Sequence, residues 1–124
     1  MQIFNSKRSK RGILAEKEVK RLAVKLAQGI QYLHNHDIVH RDIKPENILI
    51  DAEKGLGKPV ITDFGFAKVI PNGKKCNSIC GTKGYIAPEI YLGEPYGFPC
   101  DIWAFGVLLY GLVSDQLPFP YADI

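Results

Sequence analysis

Residues 13–35 place Leu14, Leu22, Leu26, Ile30 and Leu33 at helical spacing, with Lys and Glu on the other faces, and predict one amphipathic helix ending near Asn35. Two short apolar runs follow, Ile48-Leu49-Ile50 and Pro59-Val60-Ile61-Thr62, separated by a Gly-containing stretch. They predict a small β-hairpin with Asn47 at one end and Asp63 at the other. Residues 66–88 mix Pro, Gly, Asn, Ser and Lys without periodicity and read as a long loop, a feature that is usually functional in a compact domain. Residues 101–113, opening Asp101-Ile102-Trp103-Ala104-Phe105, are apolar nearly all round and predict a helix buried on several sides. The fold class expected is therefore mainly α with one small β-hairpin.

Composition narrows the function without choosing it. The 124 residues allow one domain at most, and 46% hydrophobic with 23% charged residues is ordinary for a soluble globular chain. The net charge of +3 hides an asymmetry: eight of the 16 Lys/Arg lie in residues 1–25 and none follows Lys83. The run Ser6-Lys7-Arg8-Ser9-Lys10-Arg11 has the composition of a nuclear signal or nucleic-acid patch. No aromatic residue interleaves with it, so a solvated turn before the helix is the better reading and no nucleic-acid partner is expected. Cys76, Cys80 and Cys100 form no even disulfide framework, and no N-x-[ST] sequon or signal peptide is found. The expected compartment is the cytoplasm, with the nucleus as the other option. The run from Ile102 to Val113 is too short for a membrane span, and no membrane partner is expected.

The densest chemistry lies at His40-Arg41-Asp42-Ile43-Lys44-Pro45-Glu46-Asn47, followed 21 positions after Asp42 by Asp63-Phe64-Gly65 and later by Ala87-Pro88-Glu89. One carboxylate can orient a hydroxyl nucleophile, while an amide and a second carboxylate offer oxygen to magnesium on a nucleotide. Asp-Phe-Gly alone would be weak; the three motifs in this order are specific. The chain resembles the C-terminal lobe of a eukaryotic-type protein kinase of the serine/threonine class. The resemblance extends over residues 1–124, with wording similar to both calmodulin-dependent and cyclic-nucleotide-dependent kinases, and it implies a partial kinase fold, C-lobe only, of α+β type.

That resemblance implies roles residue by residue. Asp42 is the candidate catalytic base, although an aspartate in a turn also commonly caps backbone. Lys44 is the serine/threonine marker beside the transferred phosphoryl group, and Asn47 and Asp63 are the candidate Mg2+ ligands. Lys44, Glu46, Asn47, Leu49 and Asp63 are the expected ATP-binding set, and Glu46 also resembles an acidic residue that receives a basic substrate side chain. His40 and Phe64 are packing residues, and Gly65 is expected to supply a positive φ after Asp63. Zinc on His34, His36 and His40 is a weaker alternative. Ser78 lies four residues before Thr82, where related kinases carry an activating phosphate, with Arg41 and Lys68 as its cationic partners. Thr82 is expected to contact Asp42 and Lys44. Glu89 is expected to pair with an arginine that this sequence does not contain after Lys83. Asp101 is expected to cap its own helix and, by resemblance, to anchor the catalytic-loop backbone.

The same resemblance asks for a Gly-rich loop, a strand lysine and a helical glutamate upstream of the catalytic loop. Only 39 residues precede His40, and they contain no G-x-G-x-x-G; Gly55-Leu56-Gly57-Lys58 has Val60 in place of the third glycine. No Walker A is present, because neither Lys58 nor Lys74 is followed by Ser or Thr. Two readings result. The first is an ATP-dependent kinase acting on a protein Ser/Thr hydroxyl, with an upstream activating kinase. The second is a truncated, non-catalytic product acting as a binding module, and it is favoured for these 124 residues in isolation, which are expected to be inactive and prone to aggregate.

Overall fold

The computed structural model describes residues 15–50 and 58–119. Helix α1, Glu16–Asn35, buries Val19, Leu22, Leu26, Ile30 and Leu33 along one stripe. Its first turn carries Glu16 and Glu18, which suit the positive end of the helix dipole. Leu14 lies outside the described residues, as do the basic run at 6–11 and the glycines at 55 and 57.

Strand β1, Ile38–Val39, leads from α1 into the His40–Asn47 segment, whose last three residues form a 3-10 turn from Pro45 to Asn47. Strands β2, Ile48–Ile50, and β3, Pro59–Ile61, pair antiparallel in the register Ile48↔Ile61 and Ile50↔Pro59. This is the expected hairpin. The alternation buries Ile48 and Ile50 and leaves Leu49 facing out.

A second pairing was not expected. Strand β4, Lys68–Val69, lies in the segment read as loop and pairs antiparallel with β1. Two further ties hold the following chain: a 3-10 turn at Pro71–Gly73 and an isolated bridge between Cys76 and Tyr96. The β1–β4 pairing and the bridge join residues far apart in sequence, so no local pattern announces them. Helix α2, Pro88–Tyr91, is one turn long, and helix α3 runs Pro99–Ser114, two residues earlier than the apolar run begins. Pro99 supplies the start, because a helix's first position needs no N–H donor.

Two apolar clusters fix the frame. One joins α1 to α3 and the hairpin through Leu22, Leu26, Ile30, Ile48, Leu108 and Leu112. The other gathers Val39, Ile70, Cys76, Ile90, Tyr96 and Cys100 below the loop segment. Helix α3 is buried on one side only: Ile102, Tyr110 and Val113 are exposed. The His40–Asn47 segment lies between the clusters, with Ile43 in the first and Val39 immediately before it in the second.

Candidate active site

Asp101 organises the segment from below. Its carboxylate is 1% exposed, and its two oxygens accept the backbone N–H groups of His40 and Arg41, each at 2.9 Å. His34 Nε2 from α1 meets the same carboxylate at 2.8 Å. The cap expected for its own helix is not made: the N-cap position is Phe98, with no side-chain cap. The carboxylate is spent instead on the loop, where two backbone donors would otherwise be buried without acceptors.

That grip accompanies an unusual backbone. Arg41 has φ +70°, a region costly for residues with a Cβ and sustained only where surroundings enforce it. The turn places Asp42 inward, 6% exposed, and Arg41 outward. His40 Nδ1 accepts the Asp42 N–H at 3.1 Å, and its Nε2 lies 2.9 Å from the Thr62 carbonyl. The ring thus stands with its proton on Nε2, tying the loop to the strand that delivers Asp63.

Four side chains converge on Asp42. Thr82 Oγ1 donates to Oδ1 at 2.7 Å. Lys44 Nζ donates to the same Thr82 hydroxyl at 2.8 Å and stands 3.8 Å from Oδ2. Asn47 Nδ2 donates to the Asp42 carbonyl at 2.8 Å and to Oδ2 at 3.2 Å. His40 holds the main chain from behind.

Asn47 is pinned from both sides, because its own carbonyl accepts Thr62 N–H at 2.8 Å and Thr62 Oγ1 at 3.1 Å. This pairing continues the hairpin ladder, so Asp63 follows directly from the residue opposite Asn47. Asp63 is exposed, with φ +57°, and its Oδ1 accepts the Gly65 N–H at 3.2 Å. The positive φ expected at Gly65 therefore falls on Asp63 itself. Gly65 is needed for closeness instead: a Cβ there would stand 3.1 Å from Asp63 Oδ1. Phe64 is half-exposed and meets the His40 ring edge-on at 5.1 Å.

The donors suit a hard cation. The Asn47 amide nitrogen is directed to Asp42, leaving its oxygen to offer, and Asp63 brings an exposed carboxylate. Two oxygen ligands match magnesium, which keeps water and phosphate in its remaining positions. The histidines are engaged separately: His34 with Asp101, His36 Nδ1 with the Tyr32 carbonyl at 2.8 Å, and His40 with Thr62. Glu46 and Leu49 lie exposed on the 3-10 turn and β2.

The outward face carries the second set. Arg41 Nη1 donates to Ser78 Oγ at 3.0 Å, and its Nε donates to the Phe66 carbonyl at 2.7 Å. Lys68, the other cation expected at Ser78, is exposed on β4. Glu89 is half-buried at the start of α2 and lines a cavity of about 530 Å³ with Trp103 and Phe119. Trp103 Nε1 is, among the described residues, the one buried side-chain donor without a partner. Sequence reasoning missed Tyr96, and it weighed His34 only as a zinc ligand, not as a partner of Asp101. Tyr96 sits between Pro95 and Gly97 in a Gly/Pro-rich stretch, where an aromatic with a hydroxyl was the available signal. His34 had none beyond its place near the end of α1.

Comparison with known proteins agrees with this geometry. The protein kinase domain family matches residues 1–123. Serine/threonine-protein kinase 17A of Oryctolagus cuniculus is 41% identical over 104 residues, covering 84% of this chain and 26% of that protein. The SNF1-related protein kinase catalytic subunit alpha KIN12 of Arabidopsis thaliana is 42% identical over 114 residues, covering 92% and 22%. Developmentally-regulated protein kinase 1 of Dictyostelium discoideum reaches 49% over 105 residues, covering 84% and 14%. The chain thus spans between 14% and 26% of the length of these relatives. With the match running over all but its last residue, and with the Asp42, Asn47 and Asp63 constellation assembled at one end of a hairpin, the chain belongs to the protein kinase domain family.

Proposed function

We propose that the polypeptide is an ATP-dependent serine/threonine protein kinase, with Asp42 as its catalytic base. The observation that carries the reading is the Thr82 hydroxyl, which donates to Asp42 at 2.7 Å while accepting from Lys44 at 2.8 Å. A carboxylate and an ammonium that share one side-chain hydroxyl have the polarity needed to orient a Ser or Thr nucleophile. On this reading Asp42 would take the proton of the acceptor hydroxyl as the acceptor oxygen bonds to the γ-phosphorus and ADP leaves, and Lys44 would place positive charge beside the transferred group. Asn47 and Asp63 would hold Mg2+, and the exposed Glu46 and Leu49 would contribute to nucleotide binding. ATP supplies the transferable phosphoryl group when bound, and Mg2+ its charge neutralisation. On this reading residues 1–124 belong to the C-terminal lobe, and the family's Gly-rich loop and strand lysine are not among them. Phosphorylation of Ser78 by an upstream kinase would give Arg41 a charged partner in place of a neutral hydroxyl.

The test is phosphate transfer from γ-labelled ATP to a Ser/Thr-containing protein by the polypeptide at its native length. Asp42→Asn lowers transfer by roughly 10²–10⁴-fold while nucleotide binding persists. Transfer retained in that variant removes Asp42 from the role of base, and a wild type that binds no nucleotide sinks the reading.

A further inference from the structure

Tyr96 closes a circuit that the catalytic reading does not use. It is 3% exposed, and three segments meet on it. Its N–H and C=O pair with the Cys76 backbone at 3.0 and 2.7 Å. Its hydroxyl donates to the Ser78 carbonyl at 2.6 Å and accepts from Arg41 Nη1 at 3.1 Å, with Cys80 Sγ at 3.7 Å. Arg41 is in turn fixed by Asp101 through its backbone and by Phe66 through Nε. The Cys76–Thr82 segment is therefore gripped at its main chain as well as at the Ser78 side chain. Four residues beyond Ser78 stands Thr82, on Asp42 and Lys44.

We propose that Tyr96 is a positioning residue for the Cys76–Thr82 segment: its buried hydroxyl holds the Ser78 carbonyl and the Arg41 guanidinium together and so sets Thr82 against the catalytic pair. The proposal rests on the kinase reading for its catalytic consequence, and on geometry alone for the hold itself. A hydroxyl that donates to one chain segment and accepts from a second is a bridge no apolar ring replaces, since its loss leaves the carbonyl and one guanidinium hydrogen without their partner. Burial pushes the Tyr96 hydroxyl up from its ordinary pKa, keeping it protonated as the donor near neutral pH.

Tyr96→Phe keeps the ring and deletes the bridge. In the polypeptide at native length, alkylation of Cys80 and hydrogen exchange across residues 77–80 are expected to quicken roughly tenfold, the scale of one lost hydrogen bond. Exchange in α1 stays as in the wild type, and KM for the protein substrate rises while KM for ATP does not. Ser78→Ala is the companion variant: it removes the exposed Arg41–Ser78 Oγ bond, whose partner water can replace, and leaves the carbonyl in place, so Cys80 alkylation changes by less than about twofold. The proposal is overturned if Tyr96→Phe leaves Cys80 and residues 77–80 at wild-type rates, or if α1 loosens equally. It is also overturned if Ser78→Ala loosens the segment tenfold, or if the segment loosens with the protein-substrate KM unmoved. Should the wild type transfer no phosphate, the kinase reading fails while alkylation and exchange still decide the hold.

Discussion

Replacing Asp101 by Asn tests the organisation of the site at its base. The carboxylate accepts His40 N–H, Arg41 N–H and His34 Nε2 at 2.8–2.9 Å, with the Cys100 thiol more distant at 3.9 Å, and is 1% exposed. An amide retains one acceptor oxygen, so one backbone N–H keeps a weaker partner and the other meets an NH2 group. A charge-assisted bond contributes about 1.5–3 kcal/mol, and an orphaned buried donor costs about 1–3 kcal/mol. Release of the Arg41 turn at φ +70° returns about 1 kcal/mol. The net loss is about 3 kcal/mol, a large share of the roughly 5–15 kcal/mol that holds a typical domain folded. With a urea m-value of about 2 kcal/mol/M, the midpoint falls by about 1.5 M. Urea unfolding followed by the fluorescence of Trp103, the single tryptophan of these 124 residues, reads it out. His34→Ala is the control, because it removes one side-chain donor and leaves both backbone bonds, at a cost of about 1 kcal/mol. A midpoint shift below about 0.5 M in Asp101→Asn, or one no larger than in His34→Ala, would refute the argument.

Other consequences are open to direct measurement. Asp63→Asn should keep the fold, since Asn accepts positive φ readily, yet weaken Mg2+-dependent nucleotide binding by roughly tenfold or more; binding that stays magnesium-dependent at wild-type affinity removes Asp63 as a ligand. Gly81→Ala puts a Cβ 3.1 Å from the Arg41 carbonyl at φ +113°, so it should lower stability by about 1–3 kcal/mol, and an unchanged melting temperature would contradict that strain. Burial pushes the Cys100 thiol up, with Asp101 adding to it. The raised folded value means its contribution is complete below the unfolded thiol's pKa of about 8.5 and drains away as pH climbs toward the folded value. Urea midpoints of the wild type should therefore drop faster between pH ~8 and ~10 than those of Cys100→Ala, and parallel curves would speak against it.

The elements whose stabilising partners are close in sequence are legible from the residue pattern alone. The stripe of Leu22, Leu26, Ile30 and Leu33 is complete within α1, and the hairpin alternation needs only its two strands. Contacts that join distant segments leave no such trace. Strand β4 is exposed at both residues and exists because β1 lies beside it, with Ile70 N–H bonded to the Asp37 carbonyl at 2.8 Å. Capping was the natural local use for Asp101, but two donors some 60 residues earlier compete for its oxygens and win. Likewise the residue type of Gly65 suggested where a positive φ would fall, while the fold assigns it to Asp63 and uses Gly65 for clearance. The motif residues were found because their order in the chain is characteristic; Tyr96 was not, because its partners Cys76, Ser78 and Arg41 are assembled only by folding.

The left-handed backbone at Asp63 has a consequence for how this site tolerates drift. An Asp-to-Asn change there meets no conformational penalty, so nothing in folding would screen against it. The same exchange at Asp101 strikes the frame itself and would be cleared as a misfolded chain. With Asp63 in its proposed Mg2+-binding role, loss of chemistry and loss of shape are separately accessible, and descendants that keep the surface while falling silent lie a single codon change away at position 63.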